Sequence, residues 1–238
     1  MNGVLLVDKP AGWTSFDIVN KVRRLIQTSE YNVTHKKRFP VGHTGTLDPL
    51  ATGLLVLLLG TYTKRAPRLT KLDKTYEVVL RLGQRSTTGD EEGEKTVVSD
   101  RCPTLEELHI ALARFEGDTL QRPPAFSAIK INGQRAYKLA RAGKTPELES
   151  RPVHIERIIL TKYDYPDVHF TTHVGSGTYI RSLVEDIGTA LGTGAYMAHL
   201  RRTRVGAFRI EDALPIADVS LEAITERIKT IEGKTENV

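Results

Sequence analysis

The chain has 238 residues, of which 39% are hydrophobic and 26% charged, a composition typical of a globular protein with one or two domains. Its single cysteine, Cys102, excludes an internal disulfide and a zinc site built from cysteines, and no apolar run approaches the roughly 20 residues of a membrane-spanning helix. The N-terminus has no secretory pattern, so we expect a cytoplasmic protein. A formal net charge of +5 fits either an ordinary basic protein or one that binds a polyanion such as nucleic acid.

The first quarter of the chain predicts a strand, a helix, a loop and a second buried segment. Residues 4–7 predict the strand, and Ser15 is expected to cap the helix that follows. The apolar face of that helix repeats at 3.6-residue spacing: Ile18, Val19, Val22, Leu25 and Ile26. Residues 28–40 are polar and basic, which predicts a loop. The apolar run 54–59 predicts a fully buried strand or a short helix, which periodicity alone does not separate.

The middle of the chain contains a strand, a capped helix and a polar insertion. Residues 76–82 predict a strand, and Thr104 with Glu107 forms a capping-box pattern for a helix that Gly117 ends. Residues 121–152 are rich in Pro, Gly, Lys and Arg and have little apolar periodicity. They predict a mobile excursion from the fold rather than a second core.

The last third predicts strands at 153–163 and 168–174 and amphipathic helices at 179–191 and 221–231. The polar tail at 232–238 is expected to fray. Strands and helices mix without a regular βαβ repeat. This favours an α+β fold with a mixed, mostly antiparallel central sheet flanked by helices.

Asp48 is the candidate reactive group, because it lies in a loop of small and turn-forming residues between Gly42 and Gly53. The sequence contains no phosphate-binding glycine motif, no serine-hydrolase motif and no convincing metal-ligand spacing, so neither a cofactor nor a metal is expected. An aspartate in such a loop is either a turn-former or a reactive carboxylate. Burial raises the pKa of a carboxylate, so a reactive one would need a nearby cation, for which Arg181 is a candidate. Local chemistry alone favours the turn-former.

Basic residues gather in three places along the chain. Each cluster alone is most often a solvated surface, but three of them flanking Gly-rich or Pro-rich segments favour a track for phosphates and hence a nucleic-acid partner. The clusters are His35-Lys36-Lys37-Arg38, then Lys130, Arg135, Lys138, Arg141 and Lys144, and finally Arg201, Arg202 and Arg204.

Residues 42–55 (GHTGTLDPLATGLL) resemble the signature motif of the TruB family of tRNA pseudouridine synthases. Five further segments resemble the family's motifs in the same order: 9–15 (KPAGWTS), 74–77 (KTYE), 123–130 (PPAFSAIK), 177–183 (GTYIRSL) and 200–203 (LRRT). The resemblance covers nearly the whole chain.

The resemblance implies an isomerase that converts uridine 55 in the T loop of tRNA to pseudouridine without cofactor or metal. It implies one catalytic domain over 1–238, with 121–152 as an RNA-gripping insertion. Many members of the family also carry a C-terminal PUA domain, and in a departure from them none is expected in this sequence. The implied partner is the tRNA T stem-loop, with no membrane and no obligatory protein partner. The alternatives are an RNA-binding or RNA-folding protein of the same fold, or a synthase acting on another RNA.

Site residues are implied where this sequence matches the family's motifs. Asp48 falls on the catalytic aspartate, Arg181 on the arginine that pairs with it, and Tyr76 on the tyrosine that stacks on the target base. The remaining implied substrate contacts are His43, Tyr179, Leu200 and Lys64. Expected contacts to the RNA backbone are Lys130, Arg141, Arg201 and Arg202.

Overall fold

The computed structural model describes residues 1–29, 38–127, 129–131, 133–144 and 148–230. Within these ranges the chain forms fourteen strands and six α-helices. The strands are β1 (Gly3–Lys9), β2 (Val41–His43), β3 (Thr52–Leu59), β4 (Lys74–Leu82), β5 (Gln84–Ser86), β6 (Lys95–Val97), β7 (Gly117–Gln121), β8 (Lys130–Ile131), β9 (Gln134–Arg135), β10 (Arg151–Asp164), β11 (Asp167–Val174), β12 (Ala195–Val205), β13 (Phe208–Arg209) and β14 (Leu214–Pro215). The helices are α1 (Ser15–Gln27), α2 (Ala66–Leu69), α3 (Leu105–Ala113), α4 (Ala136–Arg141), α5 (Ile180–Ala190) and α6 (Leu221–Arg227). The predicted α+β class is confirmed.

The chain divides into two compact units. The first unit comprises Met1–Tyr76 and Arg201–Val238, and the second comprises Glu77–Leu200. The chain therefore passes from one unit to the other within β4 and returns within β12.

The first unit contains the sheet order β14–β1–β3–β12. β1 is antiparallel to β3 over its whole length and parallel to β14, and β12 is parallel to β3. Two short strands pair antiparallel beside this path, β2 with β3 and β13 with β12. Most of these pairs are antiparallel, as predicted.

Both faces of β1 and β3 are covered, which explains why their sequences are continuously apolar rather than alternating. One face packs against α1 and α6 through Leu5, Val7, Leu55, Leu57 and Leu59. The other face packs against α2 and the end of β12 through Val4, Leu6, Leu54, Val56 and Leu58. The ambiguous run 54–59 is thus a fully buried strand.

The second unit contains the order β12–β4–β11–β10–β7. β10 is antiparallel to both β11 and β7. Helix α3 packs against α5 and β10. The predicted strands at 76–82, 153–163 and 168–174 and the helix at 179–191 are confirmed to within a few residues.

The N-cap of helix α1 is one residue earlier than predicted. Thr14, not Ser15, is the N-cap: its hydroxyl accepts from the Asp17 N–H at 3.1 Å, and the Asp17 carboxylate accepts from the Thr14 N–H at 2.9 Å. Asp17 is placed to close a capping box with Thr14 but not with Ser15. The hydroxyl of Ser15 is therefore not used as the cap and can form hydrogen bonds with another part of the chain. The capping box of Thr104 and Glu107 is confirmed.

The last helix is shorter than predicted, because α6 ends at Arg227. Ile228 is extended, and Lys229 pairs with Val4 of β1 through two backbone hydrogen bonds of 2.8 Å. Extended backbone at Ile228 and sheet pairing at Lys229 therefore replace the end of the predicted helix.

Four predictions fall partly or wholly outside the described residues, and for the predicted helix 221–231 this concerns position 231 alone. Of the loop 28–40, positions 30–37 lie outside, and the tail 232–238 lies outside entirely. Of the insertion 121–152, the structure describes the hairpin β8–β9 and helix α4, whereas positions 128, 132 and 145–147 lie outside. The mobility of this insertion stays a prediction.

Candidate functional site

Asp48 lies in the loop that connects β2 to β3 in the first unit. Its side chain is neither fully buried nor fully exposed, and its carbonyl accepts a turn hydrogen bond from the Ala51 N–H at 3.1 Å. The backbone on both sides of Asp48 is held by side chains and amides from residues 9–15, which form the end of β1, the turn after it and the start of α1.

Ser15 holds the residue before Asp48. Its hydroxyl accepts from the Leu47 N–H at 2.8 Å and lies 3.0 Å from the Leu47 carbonyl oxygen, to which it donates. Ser15 is 2% exposed. Because Thr14 caps α1, the neighbouring hydroxyl turns inward and satisfies both polar groups of a buried residue. This arrangement fixes two successive peptide groups next to Asp48.

Lys9 holds the residue after Asp48. Its ammonium donates to the carbonyls of Pro49 at 3.2 Å, Pro10 at 2.8 Å and Trp13 at 2.7 Å. The Pro49 carbonyl also accepts from the Gly12 N–H at 2.9 Å. Burial lowers the pKa of Lys9 to about 8, and the negative charge of Asp48 partly opposes that shift.

Arg202 supports the same loop further from Asp48. Its guanidinium donates to the carbonyl of Gly45 at 3.0 Å and to that of Leu54 at 2.8 Å, and the residue is 1% exposed. Its neighbour Arg201 forms a two-bond ion pair with Asp8, at 2.8 and 3.1 Å. Both arginines therefore have protein partners, and the buried guanidinium of Arg202 serves the loop rather than an exposed surface.

His43 is the last residue of β2, and its Nδ1 accepts from the Gly45 N–H at 3.3 Å. Burial and then the positive charge of Arg202 lower the pKa of His43. The imidazole is therefore neutral near pH 7, and the Gly45 hydrogen bond assigns its proton to Nε2.

Two further predicted residues lie in the first unit. Lys64 is exposed on a short 3₁₀ segment, Gly60–Arg65. Tyr76 is the third residue of β4 rather than its first, and only 7% of it is exposed. Leu200, in the second unit, is also buried.

Arg181, in the second unit, is a buried cation on the first turn of α5. It donates to the carbonyls of Thr88 at 3.1 Å and Phe126 at 2.9 Å. Asp90 lies 3.6 Å from the guanidinium, and both side chains are less than 10% exposed. The Asp90 carboxylate also accepts from the Thr88 hydroxyl at 2.5 Å. Arg181 and Asp90 therefore form a buried ion pair whose two members are also hydrogen-bonded to neighbouring groups.

Tyr179 is held through its backbone by one side chain. The Gln121 amide oxygen accepts from the Tyr179 N–H at 2.8 Å, and the Gln121 amide nitrogen donates to the Tyr179 carbonyl at 3.1 Å. Tyr179 is the N-cap residue of α5, and its own side chain makes no capping hydrogen bond there. The buried Gln121 thus fixes the start of the helix that carries Arg181.

Lys130 and Arg141 lie in β8 and at the end of α4, and their side chains are outside the described residues.

Sequence reasoning missed four of these supporting residues. Lys9 and Ser15 are the first and last residues of the segment 9–15, which resembles a family motif. Their place in that motif was the only indication in the sequence of a role at the site. Asp90 has no predicted role, and Gln121 lies within the polar insertion 121–152. Nothing in their local sequence indicated burial.

Neither a metal cluster nor a membrane helix is found in the described part of the chain. No three His, Cys, Asp or Glu side chains gather there as a bound ion would require. None of the helices in those ranges is long and apolar enough to cross a membrane.

Two family models match this sequence. The N-terminal domain of the TruB family pseudouridylate synthases matches residues 32–180. The tRNA pseudouridylate synthase B C-terminal domain matches residues 181–234.

Curated relatives named tRNA pseudouridine synthase B are similar over almost the whole chain. The protein of Burkholderia lata is 45% identical over 95% of this chain and 66% of its own length. That of Ruegeria pomeroyi is 44% identical over 96% of this chain and 72% of its own length. The chain thus spans about two thirds of these relatives.

Two solved structures share the fold. A chain of a Cbf5–Nop10–Gar1 complex aligns with a TM-score of 0.70 and 29% identity, over 94% of this chain and 55% of that one. A chain of an H/ACA RNP bound to a substrate RNA containing 2′-deoxyuridine aligns with a TM-score of 0.67 and 26% identity, over 94% and 54%.

Proposed function

Because the chain belongs to the TruB family of pseudouridylate synthases, we propose that it isomerises a uridine of tRNA to pseudouridine, with Asp48 as the reactive carboxylate. The observation that carries this proposal is the loop itself. Asp48 is partly exposed, whereas the backbone on either side is fixed by Ser15 and Lys9. A reactive group needs this combination of access and fixed geometry.

The proposed substrate position is uridine 55 of the T loop. Support comes from the motif at 42–55 and from relatives named tRNA pseudouridine synthase B at 45% identity. The similarity to a chain from a complex with another substrate RNA is lower, at 26% identity. A synthase acting on another RNA is therefore the second candidate.

The reaction exchanges one bond for another without oxidation or reduction. The bond between N1 of uracil and C1′ of ribose breaks, the base turns, and C5 bonds to C1′. C5 then loses its proton and N1 gains one. Asp48 either adds to C6 of the base or acts at the sugar, and both routes require an ionised carboxylate.

The remaining predicted residues have proposed supporting roles. Tyr76 stacks on the base after it leaves the RNA stack, and Tyr179 and Leu200 line the uracil pocket. Arg181 takes the role of the family's arginine that pairs with the catalytic aspartate, and Asp90 and Gln121 hold the segment that carries Arg181. His43 contacts the RNA as a neutral Nε2–H donor.

A mapping experiment tests the reaction and its position together. The protein is incubated with an unmodified tRNA transcript and with a transcript whose T-loop uridine 55 is cytidine, and pseudouridine is mapped in both. We expect product at position 55 of the first transcript alone. Product at another position would contradict uridine 55 as the modified nucleotide. Binding of tRNA without product would favour an RNA-binding protein.

A further inference from the structure

The segment after β3 has two chemically opposite faces. Its apolar side chains pack onto the core cluster formed by β1, β3 and α2: Tyr62, Ala66, Leu69 and Leu72. These positions recur every three or four residues, which is the period of a helical face. The positions between them carry four exposed cations, which we call the basic ridge: Lys64, Arg65, Arg68 and Lys71.

The segment that carries the basic ridge is strongly cationic in sequence. Residues 52–72 contain neither aspartate nor glutamate. The guanidinium of Arg65 lies over the Tyr62 ring, 4.4 Å from its centroid, which restricts its orientation. A surface with four exposed cations on one face is suited to a polyanion.

Lys74 connects the basic ridge to the loop of Asp48. Its ammonium donates to the carbonyls of Thr70 at 2.9 Å and Leu72 at 2.5 Å, at the C-terminal end of the ridge. A Cβ on Gly45 would lie 3.7 Å from the Lys74 side chain. Gly45 precedes Asp48 by three residues, so the ridge and the loop are packed neighbours in the first unit.

We propose that Arg65, Arg68 and Lys71 extend the contact expected of Lys64 into a binding surface for the phosphodiester backbone of the RNA. The four cations span roughly 10–14 Å along the segment. That length spans about three to four steps of the roughly 3.4 Å axial spacing between charges on one duplex strand, which corresponds to about four or five phosphates. This inference rests on the proposed function, because the RNA that presents a uridine to Asp48 must pass beside the loop.

The test replaces the three new cations together, as R65Q/R68Q/K71Q, and measures tRNA affinity across a salt series. Each phosphate contact contributes about 0.9 to the slope of log affinity against log salt. We expect the slope to become shallower by about 2–3 and affinity at low salt to fall at least tenfold. The control is R24Q/R209Q/R227Q, which removes the same charge from exposed positions on α1, β13 and α6.

The outcomes separate the ridge from the proposed function. Equal slopes for the two triple variants would contradict the proposal that the basic ridge binds the RNA backbone. If the wild type makes pseudouridine but the ridge variant binds tRNA as tightly as the wild type, only the ridge inference fails. If the wild type binds tRNA through the ridge but makes no pseudouridine, only the proposed reaction fails. Ridge-dependent binding to anionic phosphatidylglycerol vesicles but not to tRNA would contradict the choice of RNA.

Discussion

The hydroxyl of Ser15 is hydrogen-bonded to both the N–H and the carbonyl oxygen of Leu47, across 32 positions of sequence. Leu47 immediately precedes Asp48, and both Ser15 and Leu47 are buried. The Ser15 side chain therefore fixes the position of the peptide group that joins Leu47 to Asp48.

Replacing Ser15 with alanine is expected to lower kcat more than its effect on stability explains. The variant leaves two buried backbone groups unpaired, at a cost of about 1–3 kcal/mol in the free energy of unfolding. A shift of Asp48 by a fraction of an ångström to about 1 Å costs on the order of 10- to 100-fold in rate. Urea unfolding and single-turnover kinetics measure the two effects separately.

Thr14→Ala is the matched control, since Thr14 caps the same helix but does not contact the loop. Losing this cap costs about 1 kcal/mol. The rate of the folded Thr14→Ala enzyme should stay near that of the wild type. If Ser15→Ala is no slower than this control, Ser15 does not position Asp48.

Lys9→Met is expected to lower stability with a smaller effect on rate than Ser15→Ala. The substitution leaves three carbonyls without the ammonium donor, but the Pro49 carbonyl keeps its hydrogen bond from the Gly12 N–H. We expect a loss of about 1–3 kcal/mol. Kinetics at low temperature, where the variant stays folded, check the rate.

Lys9 also predicts a specific pH dependence of stability. Its pKa is about 8 in the folded protein, against 10.5 for an ordinary lysine. Between these values the unfolded chain binds more protons, so this group makes the free energy of unfolding rise with pH. Urea titrations at several pH values from 7 to 10 should show a smaller rise, or a steeper fall, for Lys9→Met than for the wild type. Parallel curves would contradict the lowered pKa.

The buried pair of Arg181 and Asp90 predicts that Asp90→Asn lowers kcat at least tenfold. The loss of the carboxylate leaves the Arg181 guanidinium buried with a weaker partner, 3.6 Å from the substituted group. Asp167→Asn is the control, since it disrupts the ion pair with Arg81 in the same unit. If both variants lose only stability, Asp90 has no role in the reaction.

The lowered pKa of His43 predicts that the protein loses stability in acid. Its pKa is lowered, so the unfolded chain takes up a proton at this residue first as pH falls through about 6.5, and stability falls with it. His43→Gln should therefore lose less stability than the wild type between pH 7.5 and 5.5. The exposed His109→Gln provides the comparison. Equal losses in wild type and His43→Gln would contradict a neutral His43.

Local patterns predicted the amphipathic helices and five of the strands, because periodicity reports burial directly, but they missed the long strand β12 and most of the short strands. The run 54–59 was ambiguous because both faces of β3 are covered, which removes the alternation that identifies a strand. The cap of α1 was misplaced by one residue because Ser15 and Thr14 are equally good caps and only Asp17 distinguishes them.

The supporting shell of the candidate site could not be predicted, because its contacts join distant segments. Arg202 was expected to face RNA, yet it donates to Gly45, 157 positions away. Gln121 holds Tyr179 across 58 positions. Sequence patterns identify which residue types are present, whereas only the folded chain shows which backbone groups they satisfy.

The most direct test of the account compares the rate of pseudouridine formation by Asp48→Asn with that by Asp100→Asn, using unmodified tRNA. Both substitutions exchange a carboxylate for an amide of similar volume, and Asp100 is exposed outside the candidate site. The account predicts a loss of at least about 10³-fold for Asp48→Asn, with tRNA still bound, and a wild-type rate for Asp100→Asn. A wild-type rate from Asp48→Asn would contradict it.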